Sequence, residues 1–167
     1  VDDPQVAHWV DPEITFLQAA DALGIPVLGL CFGGQILSVA LGGTVGRTDH
    51  PEIGWCDIDV NRTGVSRGVE QGPWLQWHFD IFDVPAGAEL LAASSVGPQA
   101  FRLRRNLATQ FHPEADRSVI EAWFDDDIDQ IAELGIDPDS LLIEADHQRE
   151  AARGRAARLV DLVLSWT

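Results

Sequence analysis

The segment from Gly24 to Gly43, GIPVLGLCFGGQILSVALGG, constrains the fold of this chain more than any other. Its apolar run at residues 25–30 predicts a buried strand that ends at Cys31. Two glycines follow, and apolar residues then recur at helical spacing until Gly42 and Gly43 close the helix. A strand, a sharp turn and a helix in this order are typical of an α/β fold.

Cys31 lies in the predicted turn, at the carboxyl end of the strand and the amino end of the helix. Open α/β sheets place their ligand crevice at the carboxyl ends of strands. The helix start supplies unpaired N–H groups and a partial positive charge, and both favour a thiolate over a thiol. Cys31 is therefore a candidate nucleophile, although a free cysteine after an apolar strand is also a common small hydrophobic residue of protein cores.

A second segment, LATQFHPEAD at residues 107–116, carries groups that could activate a thiol. Residues 107–111 predict a short strand, and Pro113 disfavours helix at His112, so the chain stays extended there. His112 and Glu114, two residues apart, then point the same way. A carboxylate beside an imidazole fixes its tautomer while the other ring nitrogen takes a proton from a thiol. The alternative is an ordinary His–Glu pair at the surface.

The two motifs together, LGLCFGGQ and QFHPEAD, resemble those of the class I (triad) glutamine amidotransferases. The segments PEIGWCDIDV, WLQWHFD and AELLAASSVGPQAFRLRRNLATQFHPE follow in the order that this family shows. The resemblance is to its stand-alone, GMP-synthase-like members. It implies that L-glutamine is the substrate and that Cys31, His112 and Glu114 are nucleophile, base and orienter.

The resemblance also implies residues that contact the substrate. The backbone N–H of Phe32 is the expected donor to the tetrahedral oxyanion. Gln35 matches the family glutamine that helps to bind the substrate, and Gly29 and Leu30 line the elbow.

His78 and Asp80 match a Ser-His-Gly-Asp stretch of the family that holds the α-carboxylate and α-amino groups of glutamine. Here the four positions are Trp77, His78, Phe79 and Asp80, so two large aromatic residues replace small ones. We expect His78 to line the site and not to act as the base. Cys56 is expected to be a packed thiol without a catalytic task.

The fold expected is a three-layer α/β arrangement of the flavodoxin-like, glutamine amidotransferase type, with a mixed, mostly parallel sheet between helices. Residues 1–117 form the expected amidotransferase core and residues 118–167 a helical extension of the same domain. The family's preceding strand–helix–strand portion, with a Gly-Gly-Pro loop that donates the second oxyanion hydrogen bond, is not in this sequence. A chain without it is expected to be impaired or inactive.

Caps and turn residues predict the remaining elements. These are a helix starting at Asp11-Pro12-Glu13, strands at 44–47, 53–60, 74–81, 88–94, 99–104 and 107–111, turns at Asn61–Gly64 and Arg105-Asn106, and helices after Asp116 and Asp137.

Composition excludes several classes of function. The formal charge of −16, from 27 acidic and 11 basic residues, repels phosphate backbones, so we expect no nucleic-acid partner. No apolar run reaches the length of about 18 residues that indicates a membrane span. Two cysteines without metal-ligand spacing favour a reducing, cytoplasmic setting, and we expect neither a cofactor nor a metal.

Alternatives remain open at this stage. A γ-glutamyl peptide or amine hydrolase would use the same triad on a larger substrate, and a regulatory domain could keep the fold without catalysis. A metal site built from Cys31, His112 and Glu114 is disfavoured because it mixes soft and hard ligands. The ammonia acceptor is not identified by the sequence; a separate synthase subunit is a possible partner, and a homo-oligomer is possible.

Overall fold

The computed structural model describes residues 7–166. This part of the chain forms five helices and seven strands. Their bounds are α1 Ala7–Ala22, β1 Val27–Leu30, α2 Phe32–Ala40, β2 Val45–Asp57, β3 Asp59–Val60, α3 Arg62–Ser66, β4 Pro73–Phe82, β5 Glu89–Ala93, β6 Pro98–Leu103, β7 Asn106–Thr109, α4 Arg117–Glu133 and α5 Pro138–Leu164.

Five of these strands form one sheet, in the order β1-β7-β6-β5-β3. β1 and β7 are parallel, with Val27 opposite Asn106 and Leu30 opposite Thr109, and the other neighbours are antiparallel. The predicted α/β fold, a mixed sheet flanked by helices, is confirmed. The pairing is more antiparallel than the mostly parallel sheet we predicted, because short turns join β5, β6 and β7, and such turns connect only antiparallel strands.

β2 and β4 form a second, antiparallel sheet of two strands. We predicted two strands at 44–47 and 53–60, but residues 45–57 form a single strand. An irregularity in the register between Arg47 and Glu52 explains the error, because it interrupts the alternation of side chains without ending the pairing.

The five-stranded sheet lies between two helical layers. Phe101 and Ala108 are fully buried on the side where α1 and α2 pack, and their neighbours Ala100 and Leu107 are fully buried on the side where α5 packs. Successive residues of a strand point to opposite faces, which explains why adjacent residues serve different cores. A third cluster joins α4 and the first turns of α5 to the two-stranded sheet.

The predicted start of the first helix at Asp11 is wrong, because α1 already includes Ala7 and contains Pro12. Proline inside a helix removes one backbone hydrogen bond. Val10 and Leu17 are both buried against α2 and the sheet, so the apolar side of the helix extends upstream of the proline and compensates for this loss. Residues 1–6 lie outside the described part.

Two predicted turns also need correction. Asn61 does not open a simple turn: its side chain accepts a hydrogen bond of 2.8 Å from the backbone N–H of Gly64 and caps the short helix α3. The loop between β6 and β7 consists of Arg104 and Arg105, one residue earlier than predicted, since Asn106 already pairs with β6. Arg104 has a positive φ of 56°, as tight hairpin loops require.

The two predicted carboxyl-terminal helices are confirmed. Asp116 caps α4 and Asp137 caps α5, each by accepting hydrogen bonds from backbone N–H groups of the first turn. Gly135, with φ of 70°, follows the end of α4, as predicted from its tolerance of left-handed backbone. Within residues 7–166, no helix combines the length and the apolar character that crossing a membrane requires.

Helix α2 approaches the sheet closely at one glycine. A Cβ atom added to Gly34 would lie 2.5 Å from the carbonyl oxygen of Thr109 in β7, whereas one added to Gly33 would have no neighbour within 4 Å. Both glycines lie in the first turn of α2. The helix can therefore carry the Cys31 turn against β7 only if residue 34 has no side chain.

We expect Gly34→Ala to destabilise the protein by about 1–3 kcal/mol, because the new methyl group must push the helix away from β7. Gly33→Ala is the matched control and should leave stability unchanged or raise it by up to about 1 kcal/mol, since alanine favours helix and meets no atom. Urea unfolding followed by circular dichroism measures both. Equal effects of the two substitutions would contradict the close approach.

Candidate active site

Cys31 lies in a strained turn between β1 and α2. Its backbone angles are φ 44° and ψ −105°, a conformation that costs free energy for a residue with a side chain. The turn is also tight, because a Cβ atom on Gly29 would lie 2.6 Å from the carbonyl oxygen of Gly33. The N–H of Cys31 donates to Thr109 O at 2.9 Å, which ties the strained turn to the end of β7.

The sulfur of Cys31 is mostly buried and has polar neighbours, unlike the sulfur of a cysteine packed in a hydrophobic core. Only 7% of the residue is exposed. The Gln110 side-chain amide donates to Sγ at 3.6 Å, and Sγ lies 3.9 Å from the Trp77 carbonyl oxygen. A donor beside the sulfur suits a thiol that becomes an anion.

His112 and Glu114 form a close pair just beyond the end of β7. His112 Nδ1 donates to a Glu114 carboxylate oxygen at 2.7 Å, and the backbone N–H of His112 donates to Leu75 O in β4 at 2.8 Å. The Cys31 side chain lies close enough to the His112 ring to raise the pKa of the imidazole. Because Nδ1 faces the carboxylate, Nε2 is the ring nitrogen available to the thiol. The structure thus brings together the three residues predicted as nucleophile, base and orienter.

The surroundings of His112 favour its charged form. Burial by itself lowers the pKa of the imidazole, but the hydrogen bonds with Cys31 and Glu114, together with the negative charges of both partners, raise that pKa from its usual 6.5 to about 10. At neutral pH the site therefore holds an imidazolium next to the sulfur and the carboxylate.

Helix α4 covers one side of the pair. The Trp123 ring centroid lies 4.7 Å from that of His112 and 5.2 Å from that of Trp77. Trp77 Nε1 donates to Asp127 on α4 at 2.7 Å, which holds the helix over the site. Neither Trp123 nor Asp127 was predicted to lie at the site.

The other residues predicted at the elbow lie around Cys31. Phe32 is the first residue of α2, where backbone N–H groups have no acceptor within the helix. Gly29 and Leu30 end β1. Gln35 is buried, and its side-chain amide donates to the Asp80 carbonyl oxygen in β4 at 3.0 Å, so it links the nucleophile helix to the neighbouring sheet.

His78 and Asp80 lie on β4 close to Cys31, but their side chains have other partners. The His78 side chain is only 1% exposed; Nδ1 lies 3.1 Å from Asp80 O, and Nε2 lies 3.2 Å from a carboxylate oxygen of Glu52. The Asp80 carboxylate lies 3.5 Å from Arg47 at the surface. Both residues lie in the extended backbone of β4. Their predicted contact with glutamine stays a prediction.

Cys56 contacts none of the residues predicted to be catalytic. It is half-buried in β2, and burial, followed by the charges of Glu52 and Asp57, raises the pKa of its thiol. A raised pKa opposes the thiolate form that a nucleophile needs. Among residues 7–166, no group of three or more His, Cys, Asp or Glu side chains is arranged to hold a metal ion.

Sequence reasoning missed Glu52, Gln110 and Trp123. Gln110 carried a weak signal, because it lies near the end of a predicted strand, two residues before the candidate base. Glu52 and Trp123 approach the site only through the pairing of β2 with β4 and the packing of α4, so local sequence patterns could not have identified them.

Comparison with known proteins gives a consistent result. A family model described as glutamine amidotransferase class-I matches residues 2–131. GMP synthase (glutamine-hydrolysing) of Limosilactobacillus reuteri is 38% identical over 123 residues, which are 70% of this chain and 22% of that protein. GMP synthase (glutamine-hydrolysing) of Burkholderia mallei is 32% identical over 125 residues, 66% of this chain and 23% of that protein. The chain thus spans less than a quarter of the length of these curated relatives.

Solved structures of similar fold include a glutamine amidotransferase from Thermotoga maritima. It superposes with a TM-score of 0.85 at 26% identity, covering 97% of this chain and 73% of that one. A glutamine amidotransferase from Methylobacillus flagellatus superposes with a TM-score of 0.87 at 23% identity, covering 99% of this chain and 71% of that one, which is a likeness of fold.

Replacing Cys31 with alanine is expected to lower the pKa of His112, because the thiol supplies a hydrogen bond and a charge that raise it. The raised pKa stabilises the native fold fully below the unfolded-state value near 6.5, and this stabilisation is lost as pH rises through about 10. In Cys31→Ala the loss should occur at lower pH. NMR titration of the His112 ring and unfolding measured across this pH range test both expectations.

Cys56→Ala is the control for this titration, since Cys56 is not among the groups that shift His112. Its His112 ring should titrate at the same pH as in the native chain. An unchanged His112 titration in Cys31→Ala would show that the imidazole and the thiol are not coupled.

Proposed function

The chain belongs to the class I glutamine amidotransferases, and from this premise we propose that it hydrolyses the side-chain amide of L-glutamine to glutamate and ammonia. The observation that carries the proposal is the proximity of the Cys31 thiol to the His112 ring, whose pKa it raises, together with the 2.7 Å contact between the ring nitrogen Nδ1 and the Glu114 carboxylate oxygen. A thiol nucleophile, an imidazole base and a carboxylate that orients the ring are the components of covalent acyl transfer.

The first half of the reaction forms a thioester. The Cys31 sulfur attacks the carboxamide carbon, and its electron pair becomes the new C–S bond while the carbonyl oxygen takes the negative charge. His112, which holds the thiol proton as an imidazolium, gives that proton to the nitrogen as the C–N bond breaks and ammonia leaves. Glu114 stabilises the charged ring and keeps Nε2 aimed at the reacting atoms.

The second half regenerates the enzyme. Water attacks the γ-glutamyl thioester while His112, now neutral, takes a proton from it. The C–S bond then breaks, glutamate leaves, and Cys31 and His112 return to the thiolate and imidazolium forms. The same imidazole thus acts as an acid in the first half of the reaction and as a base in the second.

We assign the binding of glutamine to the residues around the elbow and on β4. The N–H of Phe32, at the start of α2, is the proposed oxyanion donor, because the helix start leaves it without an internal acceptor. The other proposed contacts are Gly29, Leu30, Gln35, His78 and Asp80.

The acceptor of the ammonia is proposed from the relatives. The curated proteins that match are named GMP synthases that hydrolyse glutamine, and this chain spans 22–23% of their length. We propose that ammonia passes to a synthase active site on a separate subunit.

Cys31→Ala is expected to reduce ammonia release from glutamine at least 10³-fold, because the covalent step has no nucleophile. Glu114→Gln should reduce kcat by about 10²-fold, since the neutral amide no longer stabilises the imidazolium. Cys56→Ala should retain native activity. A coupled glutamate assay on the full-length protein measures all three.

A glutamine-mimicking electrophile followed by peptide mapping tests the assignment independently. The adduct should form at Cys31 and be lost in His112→Ala. An adduct at Cys56 would contradict the assignment. Faster hydrolysis of γ-glutamyl amines than of glutamine would favour the peptide or amine hydrolase, and Cys31→Ala without any functional consequence would favour a regulatory domain.

A further inference from the structure

A buried polar cluster lies behind the candidate site, on the side of β4 away from α4. Glu52 of β2 is its centre: one carboxylate oxygen accepts hydrogen bonds from Gln99 Nε2 at 2.7 Å and from Ser94 Oγ at 3.1 Å. The Gln99 amide in turn accepts from Gln76 Nε2 at 2.8 Å. The same Glu52 oxygen lies 3.2 Å from Nε2 of His78. The cluster therefore joins both sheets.

The ring of His78 faces an acceptor on each side. Nδ1 lies 3.1 Å from the Asp80 carbonyl oxygen, which can only accept, and Nε2 faces the Glu52 carboxylate. A neutral imidazole donates from one nitrogen only, so both contacts are favourable together when both ring nitrogens carry protons. Nε2 lies within ion-pair distance of the Glu52 carboxylate but makes no aligned hydrogen bond with it.

The side chains of His78 and Glu52 are both largely buried, so the loss of either one would destabilise the fold. The His78 side chain is 1% exposed and that of Glu52 is 10% exposed. A buried charge without its partner is strongly destabilised, so each member requires the other. The nearest other charge on β4, the Asp80 carboxylate, is directed to Arg47.

The ion pair fixes a segment of β4 that borders the nucleophile. The Asp80 carbonyl oxygen contacts both His78 Nδ1 and the Gln35 amide of the nucleophile helix. At the other end of the segment, the Trp77 carbonyl oxygen lies 3.9 Å from the Cys31 sulfur. The backbone from residue 77 to 80 is thus held against the helix that carries Cys31.

We propose that Glu52 is a positioning residue for glutamine: its carboxylate, which accepts hydrogen bonds from Gln99 and Ser94, fixes the ring of His78 and so holds the β4 segment at residues 77–80 in the geometry that binds the substrate. This inference rests on the proposed function. Glu52 does not touch the substrate, and its influence passes through His78.

Glu52→Gln tests the proposal, because it preserves shape and removes the charge. The KM for glutamine should rise about tenfold while kcat changes less than threefold, since recognition is loosened and the triad is untouched. Glu121→Gln, at an exposed position paired with Arg117, is the matched control and should leave both constants unchanged. A fall in kcat with no change in KM would overturn the proposal.

A double-mutant cycle separates this role from general support of the fold. If Glu52 acts through His78, Glu52→Gln should add less than a twofold effect on KM in a His78→Gln background. Equal effects in the two backgrounds would contradict the proposal. Circular dichroism and thermal melting show which variants are folded and enter the comparison.

The rates of two alkylation reactions at Cys31 test the recognition of glutamine without turnover. Alkylation of Cys31 by a glutamine-mimicking electrophile should slow about tenfold in Glu52→Gln, whereas alkylation by iodoacetamide, which lacks the amino-acid part, should change less than twofold. Equal slowing with both reagents would point to a disturbed thiol and overturn the proposal.

The His78 ring itself provides a readout that needs no substrate. The nitrogen-15 NMR signals of the ring should shift in Glu52→Gln and stay unchanged in Glu121→Gln, because only Glu52 faces the ring. Unchanged signals in Glu52→Gln would overturn the contact. A native chain that neither hydrolyses glutamine nor reacts with its mimic contradicts the proposed function, and the nitrogen spectrum then tests the His78–Glu52 contact on its own.

Discussion

The parallel pairing of β1 with β7 is the constraint on which the candidate site depends. Leu30 lies opposite Thr109, so both strands end at the same edge of the sheet. The N–H of Cys31 continues this pairing by one residue, donating to Thr109 O. His112 follows three residues after Thr109, so the imidazole and the thiol meet although they are far apart in sequence. Sheet register, and not the conformation of a long loop, sets their separation.

The sequence predicted those parts of the molecule in which local chemistry decides the structure. The elbow at Cys31 and the caps at Asp116 and Asp137 follow from the conformational preferences of a few adjacent residues. The chain after His112 was predicted to be extended, but Pro113 and Glu114 form a turn in which the N–H of Ala115 donates to His112 O at 3.4 Å. The turn still leaves His112 and Glu114 in contact. The same reasoning gave the wrong start for α1, because burial of residues on both sides of the proline outweighed the local cap signal.

Tertiary contacts account for what the sequence could not supply. In the sequence, Glu52 is one of 27 acidic residues and has no distinguishing pattern. Only the pairing of β2 with β4 brings it to His78. Trp123 has the spacing of an ordinary helical core residue, and only the packing of α4 brings its ring to His112. The large residue Trp77 is explained in the same way, since it anchors α4 through the ring contact and through Asp127.

The Cys31 thiol and the β4 segment that faces it belong to different sheets, and this division affects how substitutions can change the site. Cys31 is carried by the five-stranded sheet, whereas residues 77–80 are carried by the pair β2 and β4. A displacement of about 1 Å between reacting groups is enough to alter rates greatly. Substitutions at the joint between the two sheets, such as at Gln76 or Gln99, would therefore shift residues 77–80 relative to Cys31 without replacing any residue beside the thiol.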